Sequence, residues 1–123
     1  MQFTTPRGEL PFEIPDEWWA FAEMSRFTLN GARFYAWDPD RYPTAKAVPI
    51  TEIEPPQRSA GLDPFKKYKL VPILFAFRSP EGVLPPVEVR PSSSGYGFQL
   101  VNGAHRYYAS AAVRFPFLPI VVG

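Results

Sequence analysis

Proline interrupts this chain sixteen times in 123 residues, and nothing else in the sequence constrains the fold as much. A proline fixes its own φ, lacks the amide hydrogen that a ladder or helix interior uses, and pushes the preceding residue toward extended geometry. The sixteen run from Pro6 to Pro119, between apolar runs, and do not gather into a low-complexity tract. They read as turn and strand-edge punctuation, so short elements joined by tight turns are expected. With 46% hydrophobic and 16% aromatic residues the chain can bury a real core, and its length suits one compact domain. The longest apolar run, Leu70 to Phe77, is far below the roughly 20 residues that span a bilayer, and no basic-then-apolar leader opens the chain. A soluble, cytoplasmic protein with no membrane partner is expected. The absence of cysteine and the single histidine, His105, exclude disulfides, thiolate metal sites and a histidine-rich metal site.

The order of elements predicts an α+β fold, a small mixed sheet with helices packed on it. Residues 1–45 form an N-terminal extension. Phe3–Thr5 and Leu10–Ile14 flank the turn Pro6-Arg7-Gly8-Glu9 and read as a hairpin. Pro15 is placed to start a short helix with Asp16 and Glu17 in its first turn, and Trp18, Phe21 and Ala22 recur at helical spacing, so one face should be buried. Asn30-Gly31 supplies the positive φ angles of a hairpin turn, which predicts a second hairpin from Phe27–Leu29 and Ala32–Trp37. All three tryptophans, Trp18, Trp19 and Trp37, fall in this extension. Core packing is their expected role, against stacking on a base or facing a second subunit. Adjacent Trp18 and Trp19 cannot share one face, so one of them should be partly exposed.

In residues 46–123, Asp63-Pro64 reads as a turn of helix, and Pro72 as the start of a separate helix through Arg78, ended by Gly82. Leu84–Val89 and Tyr96–Val101 read as antiparallel strands across the turn Pro91-Ser92-Ser93-Ser94-Gly95. After Asn102-Gly103 come a helix of two to three turns and a closing strand, Leu118–Val122.

The segment Val101-Asn102-Gly103-Ala104-His105-Arg106-Tyr107-Tyr108-Ala109-Ser110 carries the chemistry. A small-residue turn opens a helix there, and the unpaired N–H groups of a helix start, with the positive end of its dipole, face whatever lies in front. Gly103 and Ala104 leave an anion room to approach. Arg106 can pair with phosphate oxygens, and His105 can donate or accept a proton near neutral pH. Each has a plain alternative: Arg106 as a structural ion pair, His105 as a histidine satisfied by backbone, Asn102-Gly103 as a simple turn. Ser110 lies four residues beyond Arg106 on the same face, but no second histidine exists to activate it as a nucleophile. The charge distribution agrees with an anionic ligand: residues 1–54 hold five Lys/Arg against nine Asp/Glu, a net of −4, whereas residues 55–123 hold eight against three, a net of +5. The basic surplus travels with the turn, as on a nucleotide or polyanion face.

From Leu84-Pro85-Pro86-Val87-Glu88-Val89 through Gly95-Tyr96-Gly97-Phe98-Gln99-Leu100-Val101 to GAHRYYAS and Leu118-Pro119-Ile120-Val121-Val122, the chain resembles the ParB/sulfiredoxin superfamily, whose pattern is strand, strand, G-x-[HR]-R, helix, strand. Val48-Pro49-Ile50-Thr51-Glu52-Ile53-Glu54-Pro55-Pro56-Gln57-Arg58 is similar to its first strand and P-x-R-like exit, so the resemblance covers about residues 46–122. In that family the turn holds the phosphates of ATP in sulfiredoxins and of CTP in ParB proteins, and small members act as kinases, ATPases or nucleases. The resemblance therefore implies phosphate or nucleotide binding by Gly103, Ala104, His105 and Arg106, with ATP or CTP as the ligand; Asn102 in the same turn and Arg58 at the P-x-R-like exit are further candidate phosphate contacts, and magnesium is the ion that phosphoryl transfer there would call for. Two departures matter. Where sulfiredoxins carry their reactive cysteine stands Ala104, so sulfiredoxin chemistry is excluded. The sequence ends at Gly123, before any helix-turn-helix reader of the ParB kind, so chromosome partition in the ordinary sense is not expected.

Phosphoryl transfer or phosphodiester cleavage would need a metal ligand or base, and the carboxylates nearest the turn are Glu52, Glu54 and Glu88. Glu54 comes first, as catalytic group and magnesium ligand, because small kinases of this fold place an acidic group at the end of the corresponding strand; ordinary solvent-facing charges on an alternating strand are the alternative. Two functions follow. One is a protein that binds nucleotide or nucleic-acid phosphate through residues 103–106, with metal-dependent ATPase, kinase or nuclease activity in which Glu54 and His105 are catalytic. The other is a non-catalytic, plasmid- or phage-associated module that binds DNA or a protein partner through its basic face or its aromatic N-terminal layer.

Overall fold

The computed structural model describes residues 1–56 and 65–123. The chain opens with an antiparallel pair, β1 (Gln2–Thr4) and β2 (Pro11–Glu13), in the register Phe3 opposite Phe12. Its turn is closed by Gly8 N–H on the Thr5 carbonyl at 2.7 Å, with Gly8 at φ +72°. Helix α1 (Asp16–Phe21) follows Pro15, and its first-turn Asp16 also accepts from the N-terminal amine. Ala22 is buried as its spacing predicts, but Phe21 is 60% exposed. None of the six helical residues is fully buried, so the helix covers the core only in part. Trp18 and Trp19 are both half-buried and pack against the core.

The second expected hairpin does not form. Asn30 and Gly31 adopt the positive φ angles read from the sequence, +50° and +86°, and Ala32 N–H closes the turn on the Leu29 carbonyl at 2.8 Å. The flanking residues are nonetheless not strands. The carbonyls of Arg33 and Ala36 accept instead from Phe117 and Leu84, so this segment's backbone is satisfied by other parts of the chain and not by its own return.

The main sheet has five strands in the order β3-β7-β5-β6-β4: β3 (Lys46–Pro49), β7 (Phe117–Val122), β5 (Val87–Pro91), β6 (Phe98–Asn102) and β4 (Ile53–Glu54). The β5–β6 pair is antiparallel, as expected, and the sheet is mixed, because β5–β7 and β4–β6 are parallel. The run from Val48 to Glu54 is therefore not one strand. It is split by a 3₁₀ turn, Ile50–Glu52, and its halves sit at opposite edges of the sheet. Pro49 and Ile53 are at most about 14 Å apart along the chain, whereas the edges of a flat five-stranded sheet stand about 19 Å apart. The sheet must curl, and the 3₁₀ turn bridges its two edges. It is pinned there by Ile50 N–H on the Pro116 carbonyl at 3.0 Å and by Arg7 Nε on the Thr51 carbonyl at 2.9 Å.

Two helices pack on this sheet. Helix α2 (Lys67–Arg78) contains Pro72 rather than starting at it. A proline there removes the bond to the Tyr68 carbonyl, which costs about 3 kcal/mol in a helix interior. Tyr68 is exposed, so that carbonyl can meet water, while Leu70, Val71, Ile73 and Leu74 are buried, each contributing roughly 1.5–3 kcal/mol. Burial outweighs the break. Helix α3 (Ala104–Ala112) lies beside α2 and buries Tyr107, Tyr108, Ala109, Ser110 and Ala112. One contiguous core results, to which the N-terminal residues Phe12, Ile14, Ala22, Met24 and Tyr35 contribute alongside Leu70, Val87 and Ile120. No described helix is long and apolar enough to cross a membrane.

Candidate functional site

The site is built where β6 hands the chain to α3. Gly103 is the N-cap of α3, at φ +112°, a conformation essentially confined to glycine. A Cβ there would also stand 2.7 Å from Val87 Cγ1. The glycine is required twice over, by the backbone and by the close approach of β5. Tyr107 N–H returns to the Gly103 carbonyl at 2.9 Å, so the amides of residues 104–106 point out of the first turn with no carbonyl of their own helix to meet.

In front of that turn lies a cleft of about 490 Å³. Asn102, Gly103, Ala104, His105 and Arg106 all line it, so the structure gathers the five residues of the turn around one space. Lys69, from the first turns of α2, lines the same cleft and is the residue that sequence reasoning missed. The only prior signal was the lysine-rich run at 66, 67 and 69, because the docking of α2 against α3 is a tertiary fact. No carboxylate lines the cleft among the described residues.

Arg106 and His105 also have structural tasks. The Arg106 guanidinium donates from Nη1 to the carbonyls of Pro85 at 2.7 Å and Pro86 at 2.9 Å, and Tyr35 Oη donates to the same Pro85 carbonyl at 2.7 Å. Helix α3 and the N-terminal extension thereby clamp the Pro85-Pro86 bend that leads into β5. Burial pushes the Tyr35 phenol well above its ordinary range, and the neighbouring Arg106 charge opposes that only in part. The two carbonyl contacts engage Nη1 alone of the three guanidinium nitrogens. His105 Nε2 accepts from the backbone N–H of Lys66 at 3.2 Å, and its ring meets Phe65 edge to face at 5.7 Å.

Glu54 sits elsewhere. On edge strand β4 it pairs with Gln99, four residues before Gly103, or about 13 Å along the strand. It lines a neighbouring depression with Gln99 that shares Pro56 and Leu100 with the cleft. Glu52 lies in the 3₁₀ turn, its carboxylate against Gly97, and Glu88 is exposed on β5. No three His, Asp or Glu side chains among the described residues converge as a metal cage. Glu54 suits magnesium only in the way that ion is often bound, by one carboxylate together with phosphate oxygens of the ligand. Arg58 and the Asp63-Pro64 turn lie outside the described residues. Ser110 is fully buried, its Oγ without a hydrogen-bond partner among the described residues, so it does not reach the cleft.

No family model matches the chain, and no curated protein matches it. Among solved structures it is similar to the C-terminally truncated chromosome-partitioning protein ParB from Caulobacter crescentus complexed with CTP-γ-S: 28% identity, TM-score 0.48, over 64% of this chain and 43% of that one. It is also similar to sulfiredoxin from Arabidopsis thaliana, with 20% identity and a TM-score of 0.49, over 64% of this chain and 83% of that one. The chain thus spans less than half the length of the ParB structure. These are likenesses of fold, and they assign no residue a role.

Proposed function

We propose that this protein binds the phosphate groups of a nucleotide, or of a nucleic acid, in the cleft before α3. One observation carries the reading: residues 104–106, which open helix α3 and include Arg106, line one space together with Lys69, and no described carboxylate shares it. A helix start faced by two cations is a good anion site, and the resemblance of GAHR to the superfamily's phosphate turn points the same way. His105 contributes a hydrogen bond to phosphate. In the metal-dependent version of this function, ATP or CTP arrives with magnesium, and Glu54 takes a place on the metal through the adjoining depression.

The test is calorimetric titration with ATP, CTP and their magnesium complexes, in the wild type and in two variants. Lys69→Gln removes a charge from the cleft without touching the backbone clamp, and loss of a charge-assisted contact of about 1.5–3 kcal/mol predicts roughly ten- to a hundredfold weaker binding at unchanged stability. Arg106→Ala should weaken binding similarly and also lower stability, because it frees two carbonyls. Silence of the wild type toward all four ligands, or a Lys69→Gln variant that binds as tightly as wild type, overturns the assignment.

A further inference from the structure

Helix α2 is apolar on both sides. Beneath it lie the buried Leu70, Val71, Ile73 and Leu74, while on its outer surface Tyr68, Pro72 and Phe75 follow at i, i+4 and i+7 and are all exposed, Tyr68 at 69% and Phe75 at 41%. Phe21 of α1 extends this stripe, meeting Phe75 edge to face at 5.8 Å. A helix apolar all round is ordinarily buried, and a contiguous exposed patch of aromatics marks an interaction surface.

Its charges say what kind of partner fits. Lys66 and Lys67 flank the stripe, with Lys66 Nζ 5.9 Å from the Tyr68 ring centre and Lys67 Nζ 5.1 Å from that of Phe21. Lys69, one residue beyond Tyr68, leads into the phosphate cleft. None of the three lysines has an ion-pair partner among the described residues, where the ion pairs are Met1–Asp16 and Arg78–Glu23, and α2 carries no acidic residue. Alternating cations and ring faces match a ligand that alternates phosphates and bases, with its bases unstacked and free to meet the rings.

We propose that the outer face of α2, from Lys66 to Phe75, binds single-stranded nucleic acid: a base stacks on Tyr68, while Lys66, Lys67 and Lys69 hold the flanking phosphates. This rests on the phosphate reading of the adjoining cleft, into which Lys69 carries the strand.

Fluorescence anisotropy with a labelled oligothymidylate of roughly 15 nucleotides tests it. The wild type should bind, with an affinity that falls as salt rises at a slope of about −2 for three phosphate contacts. Tyr68→Ala should weaken binding about tenfold, the effect of losing one stacked base, and Tyr68→Phe should restore it. Neither change touches the cleft, so ATP and CTP titrations should match wild type. Oligonucleotide binding that ignores Tyr68→Ala overturns the proposal. So does a wild type that binds mononucleotide but not the oligonucleotide, and that result leaves the cleft reading standing. Loss of oligonucleotide binding in Tyr68→Ala, in a protein silent toward mononucleotides, supports the stripe and removes the cleft. Self-association that disappears in Tyr68→Ala, without oligonucleotide binding, would assign the face to a second copy of this chain and overturn the proposal equally.

Discussion

At the scale of single residues, the same side chains serve both the fold and the proposed ligand. Arg106 could be placed on a phosphate turn from its sequence neighbours, but its bonds to Pro85 and Pro86 could not, since they join positions 21 and 20 residues apart. Glu54 presents the opposite case: sequence singles it out as the acidic partner, and the fold sets it one depression away from the turn. If it carries magnesium, phosphoryl transfer should require both the ion and this carboxylate. In a release assay for phosphate or cleaved nucleic acid, Glu54→Gln should lose at least a hundredfold in rate, the usual size of a positioned charge or acid–base group. Activity that survives both chelation and Glu54→Gln would assign the chemistry to other groups.

Among the elements, helix α2 tests the balance between proline and burial. Pro72→Ala restores an N–H for the Tyr68 carbonyl and removes the ring clash, a gain of about 3 kcal/mol in the folded state. Against that stands up to ~1 kcal/mol of lost rigidity in the unfolded chain. Urea unfolding should therefore show the variant more stable, by about 2 kcal/mol. The helix boundary that differs from the sequence expectation has the same physical origin: a proline's effect on its own helix is local and visible in sequence, but the buried side chains that override it are defined by α3 and the common core, which lie elsewhere in the chain. Elements specified by local chemistry were legible, namely the first hairpin, the α3 start at Gly103, and the β5–β6 pair across its serine-rich turn. Elements specified by distant partners were not. Asn30-Gly31 makes its turn, but Arg33 and Ala36 bond to Phe117 and Leu84 in place of a returning strand. Likewise, nothing in Val48 to Glu54 reveals that its two halves belong to different sheet edges.

For the molecule as a whole, the buried phenols set an alkaline limit. Burial raises both Tyr35 and Tyr107 above the ordinary tyrosine value, with nearby phenols and the Glu9 carboxylate adding to the effect on Tyr107. The folded state thus holds these protons more tightly than the unfolded chain. Their contribution is fully present below about pH 10 and is lost as pH rises beyond it, at about 1.4 kcal/mol per pH unit for each phenol. Thermal midpoints should be flat from neutral pH to about 9 and fall steeply above 10; in a Tyr107→Phe variant the fall should be shallower. The N-terminal extension belongs to the same balance. We propose that it completes the core and is not a separable layer, since Phe12, Ile14, Ala22, Met24 and Tyr35 are buried in it. At roughly 1.5–3 kcal/mol for each large side chain, deleting residues 1–45 removes more than a small domain's usual 5–15 kcal/mol can spare. The truncated chain should lose its folded circular dichroism spectrum. A truncated protein that stays folded and binds nucleotide would make the layer dispensable.

The 3₁₀ turn at Ile50–Glu52 has one more effect. Edge strands are normally where a sheet frays first, each end opening on its own and offering its backbone to a neighbouring molecule. Here both edges hang from the same three residues, so loosening one drags on the other, and the margins of the sheet open together or not at all.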